Sequence, residues 1–235
     1  MKEFSNKYIF IFSIVMVVVV AVFLSLAATL LQPRQAKNLE IDKKKSMLES
    51  IGISSTPQST EELYDKYITE SFVLNYKGEV ITSADAFTVD LKVEQRKPLE
   101  DQVLPVFKAQ PENGEHVIIL PLQGKGLWGP IWGYVSLKSD MNTIFGVTFD
   151  HKGETPGLGA EINTPPFEGM FPGKTIFENG KFVSIGVIKG GASEDDPHNV
   201  DAISGGTITS KGLEKMLLDG IIKYNDFLMK SKANI

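Results

Sequence analysis

The stretch Asp201-Ala202-Ile203-Ser204-Gly205-Gly206-Thr207-Ile208-Thr209-Ser210-Lys211 marks a change of pattern in the chain. Ser204, Thr207, Thr209 and Ser210 place four hydroxyls within a few residues, interleaved with two glycines. Beyond it, Leu213, Met216, Leu217, Ile221, Tyr224 and Leu228 recur at three- and four-residue steps, the spacing of a helix with one buried face. Hydroxyl residues just ahead of such a run are N-cap candidates. Gly205-Gly206 permits positive φ and a close approach to the backbone. A helix start also offers free N–H groups and the positive end of the helix dipole. Two readings follow: a polar loop that only caps a helix, or a phosphate cradle carrying a hydroxyl that can be esterified.

The rest of the chain narrows the setting. It has 235 residues and a net charge of −5, with no basic, aromatic-interleaved patch of the nucleic-acid-binding kind. There is no cysteine, which excludes cysteine-held iron–sulfur clusters, cysteine zinc sites and disulfides. His116, His151 and His198 are the only histidines, too few for a multi-histidine metal centre, and no metal site is expected. Gly173-Lys174-Thr175 looks like the end of a P-loop, but Glu168 stands where its first glycine belongs.

Near the N-terminus, Tyr8 to Leu31 is one apolar run broken only by Ser13, Ser25 and Thr29. At 1.5 Å per residue it is long enough to cross a hydrocarbon core of roughly 30 Å. It exceeds the usual apolar region of a cleaved signal, so an uncleaved anchor is expected. Arg34, Lys37 and Lys43-Lys44-Lys45 follow the run, and Lys2 and Lys7 precede it; a plain count would keep the large domain inside. Residues 36–48 read as a charged helix, 52–60 as a loop, and Thr60 to Lys66 as a short helix. A hairpin is expected over Phe72–Ile81, and strand or loop over 84–97. Further strands are expected at Val117–Leu122, Trp132–Leu137, Ile144–Phe149 and Phe182–Ile188. The fold expectation is α+β: one N-terminal transmembrane helix, then a domain with a mainly antiparallel sheet and flanking helices. The expected divisions are 1–7, a short cytoplasmic end; 8–31, the span; 32–115, a membrane-proximal region; and 116–235, the ligand-binding domain.

Four elements carry a resemblance. Asp201-x-x-Ser204-Gly205-Gly206-Thr207 resembles the flavinylation motif Asp-x-x-Ser/Thr-Gly-Ala-Thr, with Gly206 in the usual alanine position. Glu154-Thr155-Pro156-Gly157-Leu158-Gly159, the Gly126-Leu127-Trp128 segment and the single N-terminal span accompany it. Together they resemble the C-subunit family of the Na+-translocating NADH:quinone reductase, related to the G-subunit family of the Rnf ferredoxin:NAD+ oxidoreductase. The resemblance implies covalent FMN, held by a phosphoester to Thr207 that a Mg2+-dependent flavin transferase installs, with Asp201 guiding that enzyme. It implies a one-electron carrier between NADH and ubiquinone, coupled to Na+ export, among other subunits of a membrane respiratory complex. It also implies an inner-membrane protein with its domain on the periplasmic side, against the lysine count. Ser204, Gly205 and Gly206 would border the phosphate; Glu154, Thr155, Gly157 and Leu158 would hold the ring, with Trp128 as an aromatic wall. The Rnf-type carrier and a membrane-anchored binding domain without a redox centre are the alternatives. The long segment from Lys37 to Lys97 favours the quinone-reductase family.

Overall fold

The computed structural model describes residues 5–81, 84–193 and 195–232. Two compact units emerge, Met1–Lys43 and Lys44–Ile235. Helix α1 (Asn6–Ser50) supplies the described part of the first. Its apolar window has a mean hydropathy of 3.2 and no buried residue, so the helix is long and apolar enough to cross a bilayer. The expected span and the expected charged helix after it form one element, continuous through Pro33.

The second unit is an α+β domain built on a six-stranded antiparallel sheet of order β2-β1-β3-β4-β5-β6. The strands are β1 (Ile68–Leu74), β2 (Val80–Ile81), β3 (Leu104–Ala109), β4 (Val117–Lys125), β5 (Pro130–Lys138) and β6 (Ile144–His151). Helix α2 (Thr60–Tyr67) precedes the sheet; α3 (Leu91–Glu94) and α4 (Pro165–Glu168) are single turns beside it. The expected division at 115/116 falls inside the sheet, between β3 and β4. The chain closes with α5 (Thr207–Ile221), a 3-10 turn and α6 (Asn225–Lys232).

The apolar run of β4 is explained by two cores. Ile118, Leu120 and Leu122 point into a core with Leu213, Met216, Leu217 and Ile221 of α5. Val117 and Ile119 point into another, with Met47, Leu48 and Ile51 at the end of α1. A strand covered on both faces has no use for alternation.

Three segments depart from the sequence-based expectation. Residues 84–97 form a 3-10 turn (Ala86–Thr88) and α3, because the side chains of Asp85 and Asp90 cap Phe87 and Lys92 N–H at 2.9 Å each. Phe182–Ile188 is not a strand of the main sheet. Val183 and Ser184 N–H both donate to Ile176 C=O, Ser184 takes φ 63°, and the run breaks there. Its halves become β8 (Lys181–Phe182), paired with β7 (Phe177–Glu178), and β9 (Gly186–Ile188), paired in parallel with β10 (Asn199–Asp201). Strand β3 has no counterpart in the expectation at all. It carries Pro105, and its pairing with β4 ends at Phe107–Ile119. Past that point the buried Tyr224 hydroxyl lies between the carbonyls of Pro105 and Pro121, at 3.1 and 3.3 Å.

The sheet edge at β6 is met by one side chain. The Glu168 carboxylate accepts Phe149 N–H at 2.7 Å. Burial, and to a smaller extent the Glu49 and Asp150 carboxylates, push its pKa up to about 7, against the pull of that N–H.

Two outcomes are expected. Tyr224→Phe removes the one donor serving two buried carbonyls and should cost about 1–3 kcal/mol, read as a lower denaturation midpoint in urea. Because the folded pKa of Glu168 lies above its unfolded value, its contribution is fully present below the unfolded pKa. It is lost as pH rises through about 7. Glu168→Gln keeps the acceptor and should flatten the fall of Tm between those limits; an unchanged slope would refute the assignment.

Candidate functional site

The site lies where α5 begins. Two glycines seat this helix on β4. Gly212 abuts the Lys125 carbonyl with no room for a Cβ, and a Cβ on Gly124 would stand 2.6 Å from that of Met216. The helix start therefore projects beside the turn that follows β4, where Gly126 N–H donates to Gly129 C=O at 2.8 Å. Hydroxyl capping does not occur: Gly206 is the N-cap, and no side chain caps it. Ser210 Oγ instead accepts Ile203 N–H at 3.1 Å. Among the described residues the backbone N–H groups of Thr207, Ile208 and Thr209 have no acceptor. Free donors and the positive end of a 15-residue helix suit a phosphate.

Opposite stands the segment after β6. Leu158 N–H donates to Thr155 C=O at 3.1 Å, closing the turn Thr155-Pro156-Gly157-Leu158, in which Gly157 takes φ 73°. A glycine in that position of a turn opening with Pro is the type II pattern. Gly157 N–H donates to the Glu161 carboxylate at 2.9 Å, which holds the turn from behind. Gly205, at φ 74°, lies against Leu158; a Cβ there would meet Leu158 Cδ2 at 2.5 Å. The two segments enclose a cleft of about 240 Å³ lined by Leu127, Thr155, Leu158, Gly205, Thr207 and Ile208, among others.

Glu154 binds these pieces together. It is only 5% exposed. One carboxylate oxygen accepts Trp128 N–H at 2.8 Å and the other accepts the Thr209 hydroxyl at 2.6 Å. Its own N–H donates to His151 Nδ1 at 3.2 Å. A buried carboxylate is tolerated when hydrogen bonds replace its water. These two tie the β4–β5 turn and the first turn of α5 to the loop between them. A Cβ on Gly159 would lie 2.6 Å from Glu154 Oε2, so the loop closes over the carboxylate.

The residues singled out from sequence are thus largely assembled in one place. Thr207 is exposed at the first helical position, with Gly205 and Gly206 before it and Thr155 and Leu158 across the cleft, while Gly157 lies in the turn between those two and is not part of the lining. Ser204 is exposed in the turn ahead of them. One differs from expectation. The Trp128 ring is 70% exposed and does not line the cleft; its backbone N–H is held by Glu154, and Leu127 takes the wall position. Glu154 is buried, lines the cleft and accepts the Trp128 backbone N–H. Asp201 lies outside the cleft, where its carboxylate accepts Ala192 N–H at 2.6 Å. Sequence reasoning missed Leu127, Ile208 and Thr209. Thr209 was readable, because it stands four and seven residues before Leu213 and Met216 on the buried face. Among the described residues no group of three or more metal-ligating side chains occurs.

Comparison with known proteins matches this geometry to a family. Residues 126–221, which hold the whole site, match the FMN-binding domain family. The chain is 30% identical over 216 residues to the C subunit of the Na(+)-translocating NADH-quinone reductase of Vibrio campbellii, with 83% of each chain covered. It is 32% identical over 224 residues to that of Haemophilus ducreyi, covering 88% of this chain and 87% of the other. Among solved structures, the same C subunit from Parabacteroides distasonis shares 44% identity with a TM-score of 0.77, covering 84% of this chain and 96% of that one. The chain belongs to the C-subunit family of the Na(+)-translocating NADH-quinone reductases.

Proposed function

We propose that this chain carries FMN as a phosphoester on Thr207 and relays single electrons between NADH and ubiquinone within the sodium-translocating complex. The observation that carries the reading is the exposed Thr207 at the start of α5, which lines the cleft together with Thr155 and Leu158. The neighbouring hydroxyls are less available. Thr209 is buried and donates to Glu154, and Ser210 is buried and accepts from Ile203.

The cleft suits the group. The free N–H groups of Thr207, Ile208 and Thr209 would take the phosphate oxygens. Leu127, Leu158 and Ile208, each large, apolar and more than a third exposed, would rest against the ring. Thr155 would offer its hydroxyl to the ring's polar edge. Bound flavin supplies the one-electron chemistry, coupled in the complex to Na+ export; the chain supplies attachment and orientation. Glu154 holds the backbone that frames the ring. Asp201, at the end of β10, keeps the loop at Ala192 in place, and in this reading presents the motif to a flavin transferase during maturation.

The span at residues 8–31 anchors the chain in the inner membrane. Residues 1–7 lie in the cytoplasm, and the membrane-proximal region 32–115 and the FMN-binding domain 116–235 lie on the periplasmic side. Family membership supports this orientation against the local excess of lysine, which long translocated domains can override.

Thr207→Ala should abolish covalent flavin while leaving stability nearly unchanged, since the side chain is exposed. Thr209→Ala should retain the flavin but leave a buried carboxylate oxygen unpaired, at a cost of about 1–3 kcal/mol. Intact mass and thermal unfolding read the two effects, and flavin retained on Thr207→Ala would refute the attachment site. Protease added to intact spheroplasts should degrade the domain; protection until lysis would reverse the topology.

A further inference from the structure

A second cleft, of about 780 Å³, runs beside α5 past the flavin site, between that helix and the segment from Gln95 to Leu104. It holds a lysine whose hydrogen-bond partner is neutral. Lys223 is half-buried and donates to Gln102 Oε1 at 2.8 Å. Gln102 is itself buried, and its amide is fixed by donation to Lys97 C=O at 2.9 Å. An ammonium has three donors, and Lys223 uses one of them on this partner. Among the described residues it forms no ion pair. The nearby Asp219 carboxylate is engaged by Lys215 at 2.7 Å. Burial pushes the Lys223 ammonium below its ordinary pKa, with Asp219 opposing that shift. A half-buried ammonium with no directly bonded carboxylate gains when one arrives from outside.

The rim of the cleft indicates what brings it. Tyr76, Leu99 and Ile222 are 40%, 57% and 51% exposed. Large exposed apolar side chains beside a half-buried ammonium, with Lys125, Lys215, Asp219 and Asp226 also lining the cleft, have the mixed apolar and ionic anatomy of a protein interface. The chain belongs to a family of subunits, so a protein neighbour is at hand. We propose that this cleft docks a segment of a neighbouring subunit, which places a carboxylate on Lys223 and apolar side chains against Leu99 and Ile222. The proposal rests on the reading of the chain as a working part of the larger complex.

The test uses the complete complex purified from membranes. Lys223→Met removes the charge, and Leu99→Asp places a carboxylate at the rim that would repel the incoming one. Each should lose tenfold or more of its co-elution with the other subunits at raised salt, whereas Lys223→Arg should keep it. A photo-crosslinking residue at position 99 of the otherwise unaltered chain should form its adduct with another subunit. Wild-type co-elution of both variants would overturn the proposal, as would an adduct confined to lipid or to the chain itself. The crosslink decides the matter should Lys223→Met fail to fold. Covalent flavin at Thr207, measured by mass on the same samples, fails or holds independently, so loss of the flavin reading is distinguishable from loss of the docking reading.

Discussion

Helix α5 can lie where it does only because Gly212 lacks a side chain. Its Cα approaches the Lys125 carbonyl so closely that any Cβ would collide with it. This contact sets the height of the helix above β4 and lets Leu213, Met216, Leu217 and Ile221 reach the core. Each such side chain, fully buried, contributes about 1.5–3 kcal/mol before the cost of ordering it. The same seating fixes where the helix begins. The free N–H groups of its first turn are aimed by packing further along the helix, and the site inherits its precision from the core.

Glu154 complements that seating with a polar tie. Its carboxylate lies at the junction of three chain segments that are far apart in sequence, and it takes one donor from each of the other two. Removing its charge from water is costly in isolation, and the Trp128 N–H and Thr209 hydroxyl offset that cost only when both stand in place. Such a group favours one arrangement of the loops over near alternatives. With FMN attached as proposed, the ring needs this kind of frame, because a single phosphoester restricts little.

The sequence was most readable where the pattern is local. The face of α5 follows from helical spacing, the Thr155–Leu158 turn from Pro and Gly, and the span from unbroken apolarity. It was least readable where distant atoms decide. Phe182–Ile188 looks like one strand, and only the Ile176 carbonyl, which takes two N–H groups, turns Ser184 left-handed. Strand β3 was hidden by Pro105, whose place in a sheet depends on a ladder that ends beside it and on a tyrosine arriving from far along the chain. Trp128 shows the limit for the site. Its size suggested a ring against a ligand, but the structure uses its backbone N–H and leaves the ring outside.

The two ends of the sheet have a consequence for how the molecule meets others. At one end β2 is only two residues long. At the other, the Glu168 carboxylate occupies Phe149 N–H, and Gly173 and Lys174 exchange hydrogen bonds with Ile144. Open strand edges are templates on which a second chain can add. Here β2 covers only Val73 and Leu74 of β1, and the β6 edge has backbone positions already taken and a carboxylate standing in the path. At high local density, copies of the domain are thus hindered from adding strand to strand at β6, and contact there is left to side chains.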